Sequence, residues 1–422
     1  MELLCAAYVV PIEGEPIPDG AVAVEMGTIR AVGAKSGLAT QFPTAVVREF
    51  PRQLLLPGLV NAHCHIDLTN FVCEDPAEPP PSAHLHWLIQ AIAYRETTPL
   101  DQCVASIQRG LRQLVNSGTT CAGLLSGYDG LAGLADSAGL RAVCYQEIYA
   151  SGPGDRAQDR FESALAICDE QEPGDDDRIR IGLCPTAPYM LSRHLLRIIS
   201  QHAKQSAIQL QIHAAESFAE MEFFFDSTGP IGTHLFPAIG WGTGAGGELP
   251  PPFHKTPIQY LNEIGFLDAA PAIVGGIHLG GSDFELLAHS GSGVVFCPRA
   301  NARFGHGHCP IGKLTAHAIP VGLGTESMGS GTDGSMWEEL RAALDQQAAP
   351  ARQLLQMATL GGAQTLGLAH RCGSLRPGKS ADLIFCDCPD AEAPFLADAL
   401  IRQTTPGRVR HVMVGGQWLK TS

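Results

Sequence analysis

Two histidines one residue apart, His63 and His65, are the most chemically pointed feature of this 422-residue chain. They close the segment Pro57-Gly58-Leu59-Val60-Asn61-Ala62-His63-Cys64-His65, behind the apolar run Leu54-Leu55-Leu56, which reads as a short buried strand leading into the pair. Residues i and i+2 of an extended strand point to the same side, so both imidazoles can face one point in space. Two neutral imidazole nitrogens at a strand end suit zinc or another borderline divalent ion. A catalytic zinc takes three protein ligands and keeps a further position open for water. From the pair alone, two histidines hydrogen-bonding in a loop is the competing reading. Three more polar groups follow apolar stretches further along: His213-Ala214-Ala215-Glu216, Pro298-Arg299-Ala300-Asn301 and Thr325-Glu326-Ser327.

The elements that must position these groups can be read from periodicity. Leu54–Leu56, Thr119–Gly123, Leu140–Glu147, Ile179–Cys184, Ile208–His213, Ala272–Ile277, Gly293–Cys297 and Val321–Gly324 are strand candidates. Helical patterns separate most of them. One such pattern is Leu100–Ser117, with Val104, Ile107, Leu111 and Leu114 on one face and Gly118 as its stop. Eight strands alternating with helices predict an α/β fold, a (β/α)8 TIM barrel whose active site lies at the carboxyl ends of the strands. On that rule His213 closes a three-histidine set with His63 and His65, and Glu216 stands where a carboxyl group could face a substrate beside the metal. Residues 1–57 and 371–422 alternate short apolar runs with turn signals. They are expected to pair into one small β-sandwich around the barrel of residues 58–370.

Composition narrows the function classes. A net charge of −15 offers no basic stripe to displace counterions from phosphates, so nucleic acid is not the expected partner. Hydrophobic residues make up 45% and charged residues 17%, which fits a loop-rich globular enzyme. Thirteen cysteines, an odd number with no CxxC pair, read as reduced thiols in a cytoplasmic protein. Met1-Glu2-Leu3-Leu4-Cys5 lacks the basic-then-apolar pattern of a signal peptide, and no apolar run is long enough to span a bilayer. The expected partner is a small-molecule substrate, with neither nucleic acid nor membrane. A homodimer is left open.

Several of these stretches together carry a resemblance. Pro57 to His65, Ala187-Pro188-Tyr189, His213 to Glu216, Cys297-Pro298-Arg299-Ala300-Asn301-Ala302-Arg303-Phe304-Gly305, and Gly322 to Ser327 are similar to the amidohydrolase superfamily. The nearer likeness is to its aminohydrolase and chlorohydrolase branch, which includes guanine, cytosine, adenosylhomocysteine and aminofutalosine deaminases. Gly378-Lys379-Ser380-Ala381-Asp382-Leu383 extends the likeness into the C-terminal region. The resemblance implies one divalent metal ion, zinc with iron as the other candidate, held by His63, His65, His213 and an acidic residue at the end of strand eight, here Glu326. It also implies hydrolysis of a C–N bond, as in deamination of an aminated heterocycle or similar amidine-like substrate. Glu216 would deliver a proton to the ring nitrogen, and Glu326 would take the water proton and pass it to departing ammonia.

Three positions depart from the pattern. Relatives mostly carry aspartate where this chain has Glu326. A histidine at the end of strand six aligns with Gly275, with His278 three residues on as its replacement only if the strand has already ended. Thr186 stands where a substrate-contacting histidine is usual. The alternative reading is therefore a catalytically degenerate amidohydrolase-fold protein with a ligand- or metal-binding role. Trp87 could stack on a planar substrate and Arg95 could meet an anionic tail. A core tryptophan and a surface arginine are the plainer reading of that pair. Arg299 and Asn301 gain weight as binding groups from following strand seven, and His306 and His308 are further candidate helpers. Residues 227–257, with the glycine-rich run Gly242 to Gly247, could form a lid.

Overall fold

The computed structural model describes residues 1–422 except 77–78, 152–156, 171–177, 241–248, 331–332, 392 and 422. Leu54, Leu55 and Leu56 are all fully buried, as an uninterrupted apolar run must be when both faces of its strand are covered. Their strand, however, does not belong to the barrel. Both chain ends build one seven-stranded mixed sheet from β1 (Glu2–Val9), β2 (Ile17–Glu25), β3 (Thr28–Ala34) and β4 (Val46–Pro57). The other end supplies β13 (Leu383–Asp387), β14 (Val409–Val414) and β15 (Gln417–Lys420), in the order β15-β14-β13-β4-β1-β2-β3. The three leucines lie in β4, paired with β13 on one side and, through Leu54 and Leu55, with β1 on the other. Side-chain alternation along the strand sends Leu55 into a cluster with Leu4, Val22 and Phe385, whereas Leu54 and Leu56 join the large core around the barrel.

The chain then turns at Pro57-Gly58 and enters the barrel. A Cβ on Gly58 would lie 2.0 Å from Thr120 Oγ1, so the turn is tight enough to need a residue with no side chain. The first barrel strand is β5 (Leu59–His65), in place of the expected Leu54–Leu56. It is followed by β6 (Thr119–Ser126), β7 (Arg141–Ile148), β8 (Ile179–Pro185), β9 (Gln209–Ala214), β10 (Ala272–Gly275), β11 (Val294–Phe296) and β12 (Val321–Leu323). Each pairs in parallel with the next. The ring closes between first and last strands through a parallel bridge of Cys64 with Glu326, with Thr325 N donating to His63 O at 3.0 Å and His65 N to Glu326 O at 2.7 Å. Asn61 pins this seam from within, its Nδ2 on Thr325 Oγ1 at 2.8 Å and its Oδ1 accepting from Thr325 N at 3.2 Å.

Pairing of β5 with β6 slips between Asn61 and Cys64. Ala62 still packs inside the barrel with Val274 and Val295, whereas Cys64, two residues on, belongs to the outer core. Such a bulge advances the side-chain alternation by one residue, turning His63 and His65 inward together. Helix Leu100–Asn116 buries Ile107, Leu111 and Leu114 as its spacing predicts. Among the described residues no helix is long and apolar enough to cross a membrane, and all thirteen cysteines are free.

Candidate metal centre and active site

His63 and His65 at the end of β5, His213 near the end of β9 and Glu326 just past β12 converge, with one donor atom from each lying within 4.8 Å of the others. Glu326 Oε2 is 3.4 Å from His63 Nε2, and its Oε1 is 3.5 Å from His65 Nε2 and 4.0 Å from His213 Nε2. Metal–ligand bonds of about 2.0–2.1 Å in a tetrahedron put neighbouring donor atoms roughly 3.3 Å apart, close to these separations. All four residues are buried. His63 Nε2 and Glu326 Oε2 have no hydrogen-bond partner among the described residues, an arrangement that costs free energy unless a cation lies between them.

The side of each imidazole facing away from the centre is backed by an acceptor. Gln211 Nε2 donates to Ala62 O, which turns its Oε1 towards His63 Nδ1 at 2.6 Å. Glu147 Oε2 meets His65 Nδ1 at 3.2 Å, and Glu216 Oε2 faces His213 Nδ1 at 3.3 Å. For His63 this favours a proton on Nδ1, which leaves the Nε2 lone pair free for a metal, whereas His65 Nδ1 is also met by the Arg95 Nη2 donor at 2.9 Å. Burial alone would lower the His65 ring, but the Glu147 and Glu326 carboxylates outweigh it and raise its pKa to about 9. Burial instead lowers His63, which is kept neutral and ready to ligate. The residues fit a divalent ion.

Glu326 is one methylene longer than the aspartate of the family pattern, yet its carboxylate still reaches the three histidines. Its backbone is left-handed, φ +59°, and the seam hydrogen bonds hold it there while the carboxylate turns back to the three histidines. Glu216 follows another left-handed residue, Ala215 at φ +53°. Its backbone N donates to Glu220 Oε2 at 2.9 Å, so a buried carboxyl fixes the turn that aims it. Burial would raise Glu216, but His213 and His84 outweigh it and hold it near 2, an ionised carboxylate at neutral pH.

Trp87 and Thr186 do line the cavity beside these groups, together with His84 and Tyr189. The Trp87 ring centre is 6.3 Å from that of His65. Thr186 Oγ1 donates to Glu147 Oε1 at 3.0 Å, holding the outer partner of His65. Arg95 is a correction. It does line the same cavity, but instead of standing free for an anionic tail it is paired with Asp67 at 2.9 Å and Glu147 at 2.8 Å. Arg299 is likewise paired, with Asp333 at 2.9 Å, and does not line the cavity. Asn301 is buried in the same short helix, Pro298–Phe304, and does not line the cavity.

His278 does not supply the missing strand-six imidazole. β10 ends at Gly275, where φ is +96° and a Cβ would sit 2.7 Å from Glu216 Cβ. The chain then folds over Ala215 O, which accepts from His278 N at 2.8 Å, and the His278 ring lies against Phe218, outside the metal-ligand cluster. Of the expected lid, the flanks pack down, with the Phe253 ring centre 5.3 Å from that of Phe224 and 4.7 Å from that of Tyr260. The run Gly242 to Gly247 lies outside the described residues. Glu147 and Gln211 went unread in the sequence. Yet Glu147 ends a legible strand, and Gln211 stands two residues before His213, on the same strand face.

Comparison with known proteins follows the same lines. The sequence profile of the amidohydrolase family matches residues 54–419. A 5-methylthioadenosine/S-adenosylhomocysteine deaminase of Desulfitobacterium hafniense is 29% identical over 436 residues, covering 99% of this chain and 93% of the relative. The crystal structure of a zinc-bound adenosine deaminase from Xanthomonas campestris superposes with a TM-score of 0.83 at 26% identity, over 99% of this chain and 92% of the other. The fold is also shared with Helicobacter pylori aminofutalosine deaminase in complex with methylthio-coformycin, at a TM-score of 0.83 and 21% identity over 99% and 100% of the two chains.

Proposed function

The chain belongs to the amidohydrolase family, and from that premise we propose that it is a metal-dependent hydrolase of a C–N bond that deaminates an aminated heterocycle. The observation that carries this reading is the convergence of His63, His65, His213 and Glu326 at the carboxyl mouth of the barrel with Glu216 beside them. A degenerate protein that only bound metal would also keep the four ligands; Glu216, ionised beside them and facing the same cavity, is the group that a working enzyme adds. The similar deaminases of 5-methylthioadenosine and S-adenosylhomocysteine make a 6-aminopurine nucleoside the first substrate class to test. Zinc is the ion we assign, on the three imidazoles and one carboxylate of the donor set.

A divalent ion held by these four residues supplies Lewis-acid activation of water, lowering its pKa from about 15.7 to about 7. The chain's own groups handle the protons and the ring. Glu216, ionised at rest, accepts one of the two protons of the attacking water and hands it to the ring nitrogen beside the carbon under attack, relieving the negative charge that develops there, which leaves the second water proton for ammonia. Glu326 takes that second proton and passes it to the leaving ammonia. Trp87 offers the planar substrate an aromatic wall, and Thr186 acts through Glu147 on His65. Asp67, Arg95 and Glu147 form a buried support for that histidine.

Metal analysis of the purified protein, coupled to an ammonia-release screen over aminated purines, pterins, pyrimidines and triazines, tests the reading. We expect one tightly held zinc per chain, turnover of an aminopurine, and loss of the tight metal in His63→Ala. Unchanged zinc content in that variant would remove the assigned centre. A metal-replete wild type inert on every compound would favour the binding role.

A further inference from the structure

Beside the metal centre lies a second buried set of donors. His84 in helix Ala83–Thr97, Glu216 after β9 and His306 after helix Pro298–Phe304 each offer one donor atom within 4.8 Å of the others. They come from three separate parts of the chain and meet behind Phe304 and Trp87, whose rings lie 5.2 Å and 6.3 Å from the His84 ring. The His84 and His306 rings stand edge to face, centres 4.9 Å apart and planes at 86°. His84 Nε2 is 3.9 Å from Glu216 Oε2. His306 Nε2 is buried without a hydrogen-bond partner among the described residues, and so is the His84 nitrogen turned away from Glu216, Nδ1. Packing alone does not account for that. Burying unpaired imidazole nitrogens beside an ionised carboxylate costs free energy that an apolar side chain at either position would avoid.

We propose that His84, Glu216 and His306 form a second divalent-cation site, for zinc or a similar borderline ion, next to the catalytic one. Two imidazoles and one carboxylate are the donor types such ions prefer, and three protein ligands leave positions for water. His213 links the two sites, its Nε2 towards Glu326 and its Nδ1 towards Glu216 at 3.3 Å. The proposal rests on the assigned function in one respect. Glu216 serves both, and while it binds a cation it cannot accept a proton, so metal beyond one equivalent slows turnover.

The test counts metal and does not depend on activity. Metal-free protein is dialysed against rising Zn²⁺, bound zinc is measured per chain, and zinc-edge anomalous diffraction locates the ions in wild-type crystals. We expect two ions per wild-type chain, the weaker one between His84 and His306. Folded His306→Gln and His84→Asn should each bind one. A wild type that saturates at a single ion, a second anomalous peak away from these residues, or two ions still bound by either folded variant would overturn the proposal. Should both variants misfold, the wild-type count and peak position decide. Failure of the deaminase reading looks different: no ammonia is released while the zinc count still stands at two.

Discussion

Glu326 joins three properties in one residue: a left-handed backbone, a place in the seam that closes the barrel, and a carboxylate facing His63, His65 and His213. With no imidazole at the end of β10, it is the assigned base. Glu326→Gln is therefore expected to lower turnover by roughly 10²–10⁴-fold while the far-ultraviolet circular dichroism stays that of the wild type. An unaltered rate would remove Glu326 from that role, and the zinc content of the same variant separates base from ligand. Glu339, on the outer side of the barrel, gives a prediction in pH. Burial pushes its carboxyl up to about 8 from an ordinary 4.5, against the pull of the Arg299 backbone N–H, which donates to its Oε2 at 3.0 Å. A carboxyl raised in the folded state holds its proton where the unfolded chain has lost it. Its stabilising contribution is thus complete below pH 4.5 and is lost as the pH climbs to about 8. Glu339→Gln should raise the unfolding temperature relative to wild type at pH 8, with the gap closing towards pH 5. A constant gap across that range would show that Glu339 does not titrate there.

At the scale of elements, the end of β10 decides why this site differs from a pattern with a strand-six histidine. Gly275 stands at φ +96° with Glu216 packed against its Cα, so the strand has no room there for any side chain. Gly275→His is accordingly expected to displace Glu216 instead of supplying a proton shuttle. It should destabilise the protein by about 1–3 kcal/mol through overpacking and backbone strain, and lower turnover further. A variant with raised turnover and an unchanged unfolding temperature would contradict that account. The bulge in β5 is the other decisive element. The i, i+2 rule correctly put His63 and His65 on one face, because strand period is a local property. Which face that is depends on a pairing slip with β6, and pairing is not written in either strand alone.

For the molecule as a whole, barrel and terminal sheet are joined by a buried ion pair. Arg141 of β7 donates through Nε to Asp382 Oδ2 at 2.7 Å and through Nη2 to Ser380 Oγ at 2.9 Å, while Asp382 also accepts from Gly415 N at 2.8 Å. Asp382→Ala leaves the buried guanidinium without that carboxylate, and a cost of about 3–5 kcal/mol is expected. Thermal unfolding should show a lowered or split transition as the sheet comes away from the barrel. A single transition at the wild-type temperature would mean that the pair contributes little to the junction. The sequence by itself determined the fold class and the places of the three histidines, Glu216 and Glu326 after strands, because these follow from short-range periodicity, while the role of Glu326 at the metal was implied only by the family resemblance. It misassigned Leu54–Leu56 because a strand buried on both faces looks the same in a barrel as in the middle of a sheet. Only the tertiary structure decided that Arg95 and Arg299 are bound to carboxylates, that His278 lies outside the metal-ligand cluster, and that His84 and His306 meet Glu216. Those outcomes are contacts between residues far apart in the chain, and such contacts exist only after the strands have chosen their partners.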